Sequence, residues 1–95
     1  MKSIIQDSEC PVCYITGRSD CLEKHHVFGG NPGRKLSEKY GLTIYLTADM
    51  HRGKDGIHNN RELADRIKAE VQKIAMEHYD WTVDEFRLIF GKSYV

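Results

Sequence analysis

The clearest pattern in the chain is helical. Leu63, Ile67, Val71, Ile74 and His78 recur at three- and four-residue intervals, with Ala64 and Ala75 beside them. That period turns one apolar side of a helix toward a core and predicts a helix over about residues 60–78. Asn59, followed three residues later by Glu62, reads as its capping box. Thr82 and Glu85 repeat the signature, and Phe86, Ile89 and Phe90 form a second, shorter apolar face closed by Gly91. Tyr79 and Trp81 fall at the junction, where they are expected to pack between the two helices. These stripes are core, and His78 on the first of them is a helix residue rather than a ligand.

Upstream the period shortens. Leu22 to Phe28 suits a short strand, and Leu42 to Thr47 alternates β-prone residues as a half-buried strand does. Between them, Gly29-Gly30-Asn31-Pro32-Gly33 breaks the chain, and Arg34 to Tyr40 fits one or two helical turns stopped by Gly41. Gly53 and Gly56 interrupt the stretch that holds His51 and His58, which therefore reads as an irregular turn. Residues 1–21 form a loop-rich start around Cys10-Pro-Val-Cys13. A two-stranded antiparallel hairpin is marginal alone and must pack on the helices. The expectation is one α+β domain over residues 1–95: a knuckle at 1–21, a hairpin-and-helix core at about 22–60, and a helical part at about 60–91.

Ninety-five residues allow one modest core. Apolar residues make up 40% of the chain, an ordinary globular share, and no apolar run approaches the ~20 residues of a membrane span. Met1 to Glu9 lacks the apolar stretch of a secretory signal, so a soluble, cytoplasmic protein is expected. Three cysteines, an odd number, agree with a reducing compartment and make the Cys10–Cys13 pair a metal knuckle or redox motif before a disulfide. The formal net charge is zero, which argues against tight, indiscriminate nucleic-acid binding. The charge is nevertheless uneven. Lys24 to Arg61 contains seven basic and three acidic residues, a net of +4, and that excess coincides with most of the histidines.

Imidazole is both a common metal ligand and the usual general base near neutral pH. His25 and His26 are adjacent at a strand end, and neighbouring strand residues face opposite ways. One of them can hold a metal while the other stays free to take a proton. His51 follows the second strand by four residues and His58 lies seven further on. A site built from the end of the first strand and the segment after the second is geometrically natural.

The stretch Leu22-Glu23-Lys24-His25-His26-Val27-Phe28-Gly29-Gly30, then Ser37 to Leu42, His51, and His58-Asn59-Asn60, resembles the HNH endonuclease superfamily of ββα-metal nucleases. Within it, the similarity is to small HNH proteins of phage and prophage genomes. The resemblance runs from about Cys10 to the end of the long helix. It implies a β-hairpin and helix gripping one divalent metal ion (Mg, Mn, Ni or Zn), with His25, His51 and His58 as ligands and His26 as general base. It further implies DNA as substrate, a phage-type setting in a bacterial host, and a homodimer or a phage protein as partner; Arg34, Lys35, Arg52 and Lys54 are the candidates for contacts to the DNA phosphates.

Three departures stand beside it. Many relatives carry a second CxxC before the histidine matching His51; here those positions read Thr47-Ala48-Asp49-Met50, so Cys10 and Cys13 lack half of a tetrahedral zinc site. The motif's asparagine has no clear counterpart around Tyr40-Gly41-Leu42. His51 and His58 are more loosely spaced than two ligands on one helical face, which leaves Asp49 or Asp55 as substitutes. Other frames fit less well. Cys10, Cys13 and His26 match three quarters of a C2H2 finger, but Gly-Asn-Pro stands where the fourth ligand belongs. Two function classes remain: a metal-dependent DNA phosphodiesterase, and a degenerate HNH scaffold that binds DNA or protein without cutting.

Overall fold

The computed structural model describes residues 1–95. Strand β1 (Leu22–His26) pairs antiparallel with β2 (Thr43–Thr47), Leu22 opposite Thr47 and His26 opposite Thr43. Helix α1 (Gly33–Tyr40) sits in the connection between them. After β2 come the short helix α2 (Ala48–Arg52), a 3₁₀ turn (Ile57–Asn59), the long helix α3 (Arg61–Tyr79) and α4 (Val83–Phe90). The protein is thus an α+β fold with one two-stranded sheet. No helix is long and apolar enough to cross a membrane.

The hairpin is supported on both sides, as its small size demands. Leu42, Ile44 and Leu46 of the β2 segment are buried against Val27, Ile57, Ile67, Val71, Ala75 and Phe86. On the other side the N-terminal segment lies along β2. Ile4 N–H donates to Gly41 O (2.9 Å), Tyr45 N–H to Gln6 Oε1 (2.7 Å) and Tyr14 N–H to Tyr45 O (2.8 Å). The loop-rich start therefore satisfies an edge that would otherwise expose unpaired backbone groups.

Strand β1 ends at His26, two residues earlier than the apolar run suggests. Beyond it, the buried Ser37 hydroxyl on α1 accepts from Phe28 N–H (3.0 Å) and donates to Phe28 O (2.8 Å). Phe28 thus bonds to a helix instead of to β2. Gly41 closes α1 in the left-handed conformation, φ 71°, where a Cβ would stand 2.6 Å from Lys2 O.

Three local expectations are corrected. The segment after Thr47 is not irregular throughout: Thr47 caps α2, its hydroxyl accepting from Met50 N–H at 3.3 Å. The cap of α3 is Asn60, whose side chain accepts from Leu63 N–H, whereas Asn59 donates to Gly53 O (2.8 Å). The buried face of α3 is Ile67, Val71, Gln72 and Ala75, while Ile74 and His78 are exposed. A polar residue belongs in that face because the C-terminal tail folds back on it. Gln72 Oε1 accepts from Tyr94 N–H (2.7 Å) and its Nε2 donates to Ser93 Oγ (3.0 Å). The second cap follows expectation: Thr82 and Glu85 form a full capping box. Tyr79 and Trp81 stack at 4.7 Å between the helices, with Tyr40 edge-on to both.

Candidate metal centre

β1 delivers His25, α2 delivers His51 and the 3₁₀ turn delivers His58. Their rings meet, with centroids 5.1 Å (His25–His51), 5.2 Å (His25–His58) and 4.7 Å (His51–His58) apart. One potential ligand nitrogen from each lies within 4.8 Å of the others, and no other trio of His, Cys, Asp or Glu converges in this way. Asp49 and Asp55, the alternative ligands, stand outside the cluster.

The seven-residue gap between His51 and His58 is closed by glycine. Gly56 packs so tightly over α2 that a Cβ there would stand 2.7 Å from Asp49 O and 2.8 Å from Met50 O. At Gly53 the clash with Asp49 O would be closer still. Gly53 N–H donates to Asp49 O (2.9 Å), and Gly56 N–H to Gly53 O (3.0 Å). Without side chains at these two positions the chain doubles back and sets His58 beside His51.

His25 is only 9% exposed. Burial, reinforced by the neighbouring rings of His51 and His58, drives its pKa down to about 3. It is therefore neutral at physiological pH, as a ligand must be. His51 is oriented from behind. Its Nδ1–H donates to Glu23 Oε1 (2.9 Å), because a carboxylate can only accept, and this leaves Nε2 with the lone pair. Glu23 also receives Arg52 (2.8 Å). The hydrogen bond from His51, and after it the Arg52 guanidinium, hold the Glu23 carboxyl below its ordinary range.

His26 is outside the trio. It is the last strand residue and lines the same cleft as the other three. Its Nε2 lies 2.9 Å from Glu38 Oε2 on α1. Lys24 Nζ also reaches Glu38, at 3.0 Å, and hydrogen bonds from Lys24 and His26 bring that carboxyl down to about 2. Glu38 is thus firmly ionised. The proton of His26 sits on Nε2, and Nδ1 is the free acceptor. Neither Glu23 nor Glu38 was singled out from sequence. The available signal was their spacing, Glu23 two residues before His25 on the same strand face, and Glu38 in the turn that faces His26.

The histidines open into a cleft of about 710 Å³. Of the four basic residues expected there, Arg34 lines it; Lys35, Arg52 and Lys54 do not, and Arg52 is engaged by Glu23. Lys24, Arg61 and Lys68 line it instead. The two latter belong to α3. The cysteines lie elsewhere. Cys10 and Cys21 are exposed and Cys13 is buried, all as free thiols. Burial works to raise the Cys13 thiol, but hydrogen bonds around it, led by Thr16, bring it to about 7.

Comparison with protein-family models, curated proteins and solved structures returned no match. The reading of the centre rests on its own geometry.

That geometry suits a metal ion. Three imidazoles, one fixed by a carboxylate behind it, are a good donor set for Zn, Ni or Mn and a poorer one for Mg, which prefers oxygen. An ion held by these three side chains would keep coordination positions open.

Proposed function

We propose that the chain is a metal-dependent endonuclease of the HNH type that hydrolyses phosphodiester bonds of DNA. The observation that carries this reading is the meeting of His25, His51 and His58 in one basic cleft with a fourth histidine, His26, backed by a carboxylate. A divalent ion on the trio would supply Lewis-acid stabilisation of the phosphate and of the leaving oxygen. His26 takes the proton of the attacking water on Nδ1 while Glu38 holds the ring from Nε2. Lys24, Arg34, Arg61 and Lys68 attract the phosphates on either side of the scissile bond.

The test is incubation of the purified protein with supercoiled plasmid and Mg²⁺, Mn²⁺, Ni²⁺ or Zn²⁺, with and without chelator. Relaxed or linear product with at least one ion, abolished by chelator, is expected. Intact plasmid with every ion overturns the reading.

One observation favours a second reading, a scaffold that binds DNA or protein without cutting. Thr43, opposite His26 across the hairpin, has a buried hydroxyl with no hydrogen-bond partner. β2 therefore gives the His26 ring no side-chain hydrogen bond, and Glu38 alone supplies one. That reading predicts retardation of DNA in a gel without cleavage.

A further inference from the structure

A second hollow adjoins the histidine cleft. Its volume is about 270 Å³, and it shares Gly29 and Lys68 with the cleft. Asn31, Gly33, Phe90 and Tyr94 also line it. Gly29 has open space where a side chain would stand, so no side chain at that shared position stands between the two. The hollow falls just under the ~300–1,000 Å³ of sites for drug-sized ligands, a size that suits a single heterocyclic ring.

Its aromatic wall is built, not incidental. The tail after α4 is pinned by the fully buried Gln72, which accepts from Tyr94 N–H and donates to Ser93. That anchor sets the Tyr94 ring 5.5 Å from Phe28, in a group that continues to Phe90. Two ammonium groups stand over the same ring, Lys68 at 5.3 Å and Lys92 at 5.1 Å. An aromatic ring held under two lysine ammonium groups beside a basic cleft is a combination that binds unpaired strands: a base takes the ring face, and the ammonium groups it displaces take the phosphates. A fully paired duplex keeps its bases stacked inside and has nothing to place in such a hollow.

We propose that this hollow receives one unpaired nucleobase, stacked on Tyr94, next to the phosphate held in the histidine cleft, so that the protein prefers DNA with a single-stranded segment. The proposal rests on the DNA reading above. It deepens that reading by naming the form of the substrate.

The experiment measures binding by fluorescence anisotropy in chelator, so that neither metal nor cleavage enters. The probes are a labelled single strand and the same sequence fully paired. Wild type binds the single strand more tightly. Tyr94→Leu, which keeps apolar packing but removes the π face, weakens single-strand binding about tenfold, the loss of one base–aromatic stack. It leaves duplex binding unchanged. Tyr94→Phe restores the preference, and circular dichroism checks that each variant folds. Equal binding of both probes by wild type, or a preference that survives Tyr94→Leu, overturns this inference and leaves the nuclease reading standing. Binding of neither probe overturns both.

Discussion

Two histidine–carboxylate pairs flank the cleft, alike in local geometry and opposite in setting. His51 Nδ1 meets Glu23 at 2.9 Å, and His26 Nε2 meets Glu38 at 2.9 Å. One ring nitrogen of His51 lies within 4.8 Å of a ring nitrogen on each of two other imidazoles. His26 has no place in that cluster, and its carboxylate is shared with the Lys24 ammonium. The same pair is thus suited to metal ligation in one place and to proton transfer in the other. What separates them is the surroundings: a convergence of three imidazoles wants a cation, whereas a lone oriented imidazole at a cleft edge can cycle a proton.

The sharpest way to break the comparison is to remove a ligand. His25→Ala is expected to lose the bound metal and all cleavage together, read by calorimetry with Zn²⁺ and by plasmid assay. Retention of wild-type metal affinity would rule out the trio as the site. His26→Ala should keep the metal yet cut about 10²–10⁴-fold more slowly, the usual contribution of a positioned base. If instead it loses the metal, the two pairs do the same work and the contrast collapses.

Glu23→Gln tests the supporting carboxylate on the metal side. Metal affinity should fall about 10–100-fold, as is usual when a partner behind a ligand is changed. Glu38→Gln should leave that affinity alone, and equal losses in both variants would erase the distinction.

The smallest effect is on stability. In the metal-free protein His25 titrates near 3, against 6.5 for its ordinary value. Between these values the unfolded chain binds a proton that the native state refuses, so stability falls as pH drops from 6.5 toward 3. The slope from this one group is at most about 1.4 kcal/mol per pH unit. The Glu38 carboxylate, held down to about 2, adds its own loss only as pH falls below its ordinary 4.5. The interval from 6.5 to 4.5 therefore isolates His25 from Glu38. Urea midpoints measured there in chelator should decline for wild type and decline less for His25→Leu.

Much of the architecture was legible along the chain because its signals are local. Period, caps and breakers marked α1, both strands, α3 and α4 to within two residues at most ends, and Thr82 with Glu85 formed the box their spacing implies. Where the reading slipped, distant contacts had decided. Ile74 gave way to Gln72 on the buried face of α3 because the tail at Ser93 and Tyr94 needs a buried hydrogen-bonding partner. α2 escaped notice because five residues carry too little period to see, and a threonine cap with two tight glycines does the work instead.

The sequence by itself determined the histidines, the α+β order and the opposite facing of His25 and His26, since strand alternation is a property of two adjacent residues. Only the tertiary structure decided that His58 joins His51, through a turn whose closeness depends on missing side chains at Gly53 and Gly56. It alone supplied Glu23 and Glu38 as partners, 28 and 12 residues away from the rings they hold. It also chose Arg61 and Lys68 over Lys35 and Lys54 for the cleft. Charge is legible as composition, but which charges face one another depends on how α3 packs against the hairpin, and residues far apart in the chain carry no local mark of that meeting.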